Sequence, residues 1–333
     1  MKNNEQETSS IDNSSTIDDI ETEKYMMFPS LNMEVDQKLC IDNFLIENEG
    51  SEILLHDKSF LDFINDSLIA KKEGETYFLI KFQDRYQKVE VKISQKGSLN
   101  SAFNIADMKR GQKIVAFGDS VTANATINAD LTYVRRIADE YGLNFVNNYA
   151  IGGTTATYMF PGSNIDKEYH NLDTAPDGVR VVKKAYENNE LNDIDYAIIA
   201  YGHNDHYFQP PIENEEEKEF DINDFTSAYS FKGSYRFMIN VLRKANPNIK
   251  IIIMNCTYSE YVYNGGPYGN EYTYEDYRLA QYEIAKEMDV KIVDPWNYTK
   301  TIFDGTTRNI NYKDVVHLTV KGHQKLGTYL KKF

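Results

Sequence analysis

From Lys113 onward, short apolar runs without polar alternation recur between longer amphipathic stretches. They are Ile114-Val115-Ala116-Phe117, Phe145-Val146, Tyr196-Ala197-Ile198-Ile199-Ala200, Ile251-Ile252-Ile253-Met254 and Val290-Lys291-Ile292-Val293. A strand with one face in water alternates apolar and polar residues, so strands that do not alternate need cover on both faces. Helix-period stretches at about 131–141, 179–188, 234–245, 274–288 and 320–331 provide that cover. The pattern predicts a parallel sheet with helices on both sides. Ligands of such sheets gather beyond the carboxyl ends of the strands, so chemistry is expected in the loops that follow the runs.

Those loops hold Gly118-Asp119-Ser120, Gly152-Gly153 and Gly202-His203-Asn204-Asp205, and Asp314-Val315-Val316-His317 precedes the last helix. Taken singly, each has an ordinary structural reading: Ser120 and Asp205 as helix caps, Gly-Gly as a turn, Asp-x-x-His as a surface loop. Together they supply what acyl transfer through serine needs: a nucleophile, a base, a group that orients the base, and oxyanion donors. Asp314, three residues before His317, can reach Nδ1 and leave Nε2 to accept the serine proton. Glycine at 153 lets a backbone N–H approach a ligand closely, and the Asn204 amide can add a donor.

His203 and His206 bracket Asn204-Asp205, but this is no standard catalytic metal spacing, and no metal is assigned. No Gly-x-Ser-x-Gly elbow, phosphate loop or dinucleotide fingerprint occurs, so no cofactor is expected. His323 reads as a surface residue.

The residues carry a resemblance. Gly118-Asp119-Ser120-Val121, Asn148 through Gly153, Gly202-His203-Asn204-Asp205 and Asp314-x-x-His317 with Thr319 and Gly322 resemble the four blocks of the SGNH (GDSL-type) hydrolases. The likeness runs from about Lys113 to Phe333. It implies a flavodoxin-like three-layer α/β/α sandwich with a parallel sheet of about five strands. It also implies Ser120 as nucleophile, His317 as general base and acid, and Asp314 as its orienter. The implied oxyanion hole combines the N–H groups of Ser120 and Gly153 with the Asn204 side chain. Leu318 departs from the proline usual after the histidine, which bears on how that loop is held. Val121-Thr122 replaces the Ser-Leu of many members without removing chemistry.

Ahead of this region, residues 25–110 read as a small β-rich accessory unit and 111–333 as the hydrolase domain. Thr76–Phe82 and Lys88–Ile93 read as strands around Asp84-Arg85, with Asn43–Ile46 and Glu52–Leu55 as two more. Residues 1–24, rich in Ser, Asp, Glu, Asn and Thr, read as a solvated acidic tail. Met1-Lys2-Asn3-Asn4-Glu5 has no apolar h-region. The tail fits the opening of a cytoplasmic protein, or a spacer behind a removed anchor at the cell surface. The formal charge of −15 argues against nucleic-acid or anionic-membrane partners, and no apolar run reaches the ~20 residues of a membrane span. Cys40 and Cys256 are too few for a disulfide framework.

Two inserts, about 206–231 and 258–268, are expected to wall the pocket. The chain holds 25 tyrosines and one tryptophan, and Tyr261, Tyr263 and Tyr268 sit on the Gly-bearing second insert. Flat faces with hydroxyls suit sugar rings, so these three are the candidate substrate contacts. The expected reaction is removal of small acyl groups, acetyl first, from a carbohydrate or other small ester. The alternative is an O-acetyltransferase of cell-wall or capsular polysaccharide using the same residues. A glycan-binding module with a vestigial site is the reading from another class.

Overall fold

The computed structural model describes residues 30–41, 52–82, 85–123, 131–160, 163–164, 177–214, 219–260, 268–269, 271–304 and 306–333. Its strands, in chain order, are Ser30–Glu34 (β1), Lys38–Cys40 (β2), Glu52–Leu55 (β3), Leu61–Ile64 (β4), Ser67–Ala70 (β5), Gly74–Phe82 (β6) and Arg85–Ser94 (β7), then Lys113–Gly118 (β8), Asn144–Asn148 (β9), Tyr196–Ala200 (β10), Lys250–Met254 (β11) and Lys291–Val293 (β12). The helices are Ser120–Ala123 (α1), Tyr133–Tyr141 (α2), Gly178–Glu187 (α3), His203–Phe208 (α4), Phe231–Ala245 (α5), Tyr274–Glu287 (α6), Trp296–Asp304 (α7), Arg308–Asn311 (α8) and Val320–Leu330 (α9).

The last five strands form one parallel sheet in the order β12-β11-β10-β8-β9. Successive residues of the strands enter different cores. Ile114, Ala116, Ile198, Ile252 and Val293 pack with Val134, Ile137, Leu326 and Leu330 of α2 and α9. Val115, Phe117, Ala197, Ile199 and Ile253 pack with residues of α3, α5 and α6, such as Val182, Met238 and Ile284. Cover on both faces is why these strands read as unbroken apolar runs. The result is a flavodoxin-like three-layer α/β/α sandwich. β9 is an edge strand with Val146 44% exposed, which explains why its run was short.

Helix ends follow local signals. Thr132 caps α2 through the Arg135 N–H, and Gly142 closes it at φ 63°. Thr273 and Asp276 form a capping box at the start of α6. α5 begins at Phe231, earlier than the helix period suggested, because Ser230 caps it through the Gly233 N–H.

The N-terminal region is β-rich, with sheets ordered β1-β7-β6-β3 and β2-β5-β4. Met33, Leu61, Leu68, Phe78, Val89 and Val91 form its core, which Tyr282 of α6 joins. The expected strand at Asn43–Ile46 and the 1–24 tail lie outside the described residues. The Gly97–Ser101 connection is held at both ends: Glu34 Oε2 accepts the N–H groups of Gly97 and Ser98, and Asp289 accepts those of Asn100 and Ser101. Among the described residues no helix is long and apolar enough to cross a membrane.

Candidate active site

The chain passes from β8 out to β9 and returns to β10 on the other side of β8, so the crevice of this sheet opens between the carboxyl ends of β8 and β10. Ser120 follows β8 and Asn204 follows β10. Gly118 makes the first turn possible, because a Cβ there would stand 2.6 Å from the Ala200 carbonyl oxygen. Gly202, at φ 136°, makes the second; its Cβ would stand 2.7 Å from Cys256 Sγ.

His317 arrives from the loop between α8 and α9. Its Nε2 lies 2.8 Å from Ser120 Oγ, and its Nδ1 lies 2.8 Å from Asp314 Oδ2. Asp314 Oδ1 accepts the N–H groups of Val316, at 2.8 Å, and His317, at 2.7 Å. Partial burial pushes the Asp314 carboxyl up, but these N–H groups and the imidazole outweigh it and hold the group below its usual range. Leu318, in place of proline, is fully buried and bridges to Tyr312, while the Lys313 N–H donates to the His317 carbonyl. The loop is thus closed without proline.

The N–H groups of Ser120 and Gly153 donate to no other group among the described residues. Gly153 takes φ 82°, in the left-handed region that favours glycine. One amide hydrogen of Asn204 is spent on the Thr154 carbonyl at 2.7 Å, which fixes the side chain and leaves the other free. Asn148 steadies the Gly152-Gly153 loop by donating to the Thr122 carbonyl and accepting the Ala150 N–H.

Several residues here were not legible as parts of a site. Asp205 is no simple helix cap: its buried carboxylate accepts the N–H groups of Ala156 and Thr157 and the Thr157 hydroxyl, and so anchors the loop after Gly153. Asp177, ahead of α3, accepts the Met159 N–H and pairs with Arg180. Asp119 accepts the Val121 N–H at 3.0 Å. Burial pushes Asp119 up to about 7, with Asp205 adding to the effect, and pushes Asp205 and Asp177 up to about 6. Their only sequence signal was position beside a motif or at a helix start.

His203 reaches Thr257 Oγ1 and the Tyr274 hydroxyl, at 3.3 and 3.4 Å. Burial, with His317 and His206 nearby, pushes it down to about 3, so it stays neutral at ordinary pH. His206 meets Tyr274 and Tyr277 edge-on. His323 is not a surface residue. It is 2% exposed, stacks on Tyr133 and accepts the Tyr133 N–H, because the α9 face that carries it packs on α2. Of the candidate substrate contacts, Tyr268 lies against Tyr207 and Phe208 of α4, while Tyr261 and Tyr263 lie outside the described residues.

The family model of GDSL-like lipases and acylhydrolases matches residues 116–325, a span that includes all four segments. This chain belongs to that family. It is therefore grouped with ester hydrolases. Solved structures are similar to this chain. One, 17% identical, aligns over 69% of this chain and 97% of its own with a TM-score of 0.51. A protein described as a GDSL-like lipase from Bacteroides ovatus is 13% identical over 68% of this chain and 98% of its own, TM-score 0.45. A variant of an acetyl-xylooligosaccharide esterase from Geobacillus is 20% identical over 68% and 94%, TM-score 0.41. No curated protein matches the sequence.

Proposed function

We propose that this chain is a serine esterase that removes small acyl groups, acetyl first among them, from carbohydrate. The observation that carries the reading is the continuous contact from Ser120 Oγ through the His317 ring to Asp314, 2.8 Å at each step. In this reading Ser120 Oγ attacks the ester carbonyl while its proton passes to His317 Nε2. Asp314, kept ionised, faces the imidazolium that forms. The oxyanion takes the N–H groups of Ser120 and Gly153 and the uncommitted amide hydrogen of Asn204. His317 then gives its proton to the leaving alcohol, and an acyl-serine remains. Water enters, loses a proton to Nε2 and attacks the acyl carbon; collapse releases the acid and restores Ser120.

The carbohydrate part of the reading rests on half-buried aromatic faces beside α4, the helix that carries Asn204. Tyr207 and Tyr268 stand there with their rings 6.0 Å apart. Rings with hydroxyls at their edges suit stacking on sugars.

The test is p-nitrophenol release from acetyl, butyryl and octanoyl esters, followed by acetate release from an acetylated oligosaccharide, for wild type and Ser120→Ala. The substitution is expected to lower kcat by about three orders of magnitude or more, with acetyl turned over fastest. Equal, negligible rates for both proteins would sink the reading. Acetyl transfer to an added sugar in preference to water would replace it with a transferase.

A further inference from the structure

A cavity of about 220 Å³ lies where the loop after Gly153 meets the end of α4, and Thr157, Tyr158, Phe160, Asn164, Phe208 and Pro211 line it. Two links tie it to the candidate active site. Asp205 accepts the Thr157 N–H at 2.9 Å and the Thr157 hydroxyl at 2.7 Å. Phe208 follows Asn204 by four residues on α4, which is about 6 Å along a helix axis. The walls are held in place. The Asn164 amide donates to the Phe208 carbonyl, Gln209 exchanges hydrogen bonds with the Tyr272 backbone, and the Pro210 carbonyl accepts from the Tyr277 hydroxyl. The volume is below the roughly 300–1,000 Å³ of drug-sized sites and suits a single ring.

A row of aromatic rings runs out from the cavity. Phe160 stacks on Tyr229 with centroids 4.8 Å apart, and Tyr229 lies 5.8 Å from Tyr158 with the two planes 4° apart. Tyr158 in turn stacks on Phe225 at 4.5 Å. All four rings are only half-buried, although large apolar rings gain most from full burial. Among the described residues Phe160 meets one ring, that of Tyr229, so its other face has no ring partner. The hydroxyls of Tyr158 and Tyr229 form no hydrogen bond with a described residue. The cations beside the row are paired: Arg180, 4.6 Å from the Tyr158 centroid, with Asp177, and Lys183, over Phe225, with Glu187. Neither is left to recognise a ligand anion.

We propose that the cavity and this row are a subsite for a neutral sugar residue next to the acylated one, with the sugar's C–H face on Phe160 and its hydroxyls on those of Tyr158 and Tyr229. The proposal rests on the carbohydrate-esterase reading and deepens it: the substrate is an ester of an oligosaccharide rather than of a single sugar. A pyranose carries C–H bonds on its face and hydroxyls around its rim, which matches an aromatic face beside phenol hydroxyls. The acyl chain of the ester fits less well, because it offers nothing to those hydroxyls.

The test is calorimetric titration of the full chain with glucose and xylose and with three neutral trisaccharides: cellotriose, xylotriose and maltotriose. At least one trisaccharide is expected to bind about tenfold tighter than its monosaccharide, and Phe160→Ala to weaken that binding by about tenfold. Phe160→Tyr keeps the ring and is expected to keep the affinity, which separates stacking from a displaced loop. No trisaccharide binding, affinity no better than that of the monosaccharide, or undiminished binding to Phe160→Ala each overturns the proposal. The comparison of sugar lengths uses wild type alone, so it decides the matter even if the alanine variant does not fold. Ester turnover is not read, so the two readings fail separately. Ser120-dependent turnover without trisaccharide binding keeps the esterase and overturns the subsite. Phe160-dependent binding with equal p-nitrophenyl acetate rates for wild type and Ser120→Ala keeps the sugar site and sinks the esterase.

Discussion

Asp314 holds His317 twice: Oδ1 accepts its backbone N–H at 2.7 Å and Oδ2 faces its Nδ1 at 2.8 Å. One carboxylate thus sets both the turn that delivers the imidazole and the ring's orientation. The Asp314→Asn variant presents an amide to Nδ1 where a carboxylate is needed and favours the wrong tautomer. A fall in kcat of about 10²–10⁴ is expected with KM little changed. Steady-state kinetics on p-nitrophenyl acetate check this, and wild-type kcat would remove Asp314 from the proposed mechanism.

Asn204 spends one amide hydrogen on the Thr154 carbonyl, and the other is the donor proposed for the oxyanion. Asn204→Ala is therefore expected to lower kcat by about 10²–10³, mostly without affecting KM. Asn204→Asp should be no better, since it replaces a donor with a charge of the wrong sign. An alanine variant that loses affinity but not kcat would make Asn204 a ground-state contact only.

Gly322 sits in the first turn of α9, where a Cβ would stand 2.1 Å from the Asn311 carbonyl oxygen and 2.9 Å from Leu318. That carbonyl also accepts the Thr319 N–H, closing the loop that carries Asp314 and His317. Gly322→Ala is expected to cost about 1–3 kcal/mol or more and to lower kcat along with the melting temperature. A variant with both values at the wild-type level would show that the loop tolerates the displacement.

Asp119 gives a pH signature. Its folded-state pKa is raised from 3.8 to about 7, so the folded chain holds a proton that the unfolded chain has lost between those values. This stabilisation is complete below the unfolded value and disappears as pH rises through the folded one. The melting temperature of wild type relative to Asp119→Asn should therefore fall between about pH 4 and about pH 7. His323, lowered from 6.5 to about 4, acts in the opposite sense and is present in both proteins, so the difference isolates Asp119. A difference independent of pH would mean that Asp119 titrates alike in both states.

The architecture was legible from local pattern. Residues 196–200 and 251–254 announce strands because both sheet faces are covered, and Thr273 with Asp276 or Thr132 with Gly142 mark helix ends through bonds a few residues long. The residue types of the candidate site were legible for the same reason: a serine after a strand, glycines and an Asp-x-x-His each occupy a short segment. Tertiary structure decided what depends on distant residues. Asp205 differs from an ordinary helix cap only because Ala156 and Thr157 come to it across the crevice. His323 is buried only because α9 packs on α2. Burial and the identity of a partner are properties of packing, and a single segment carries neither.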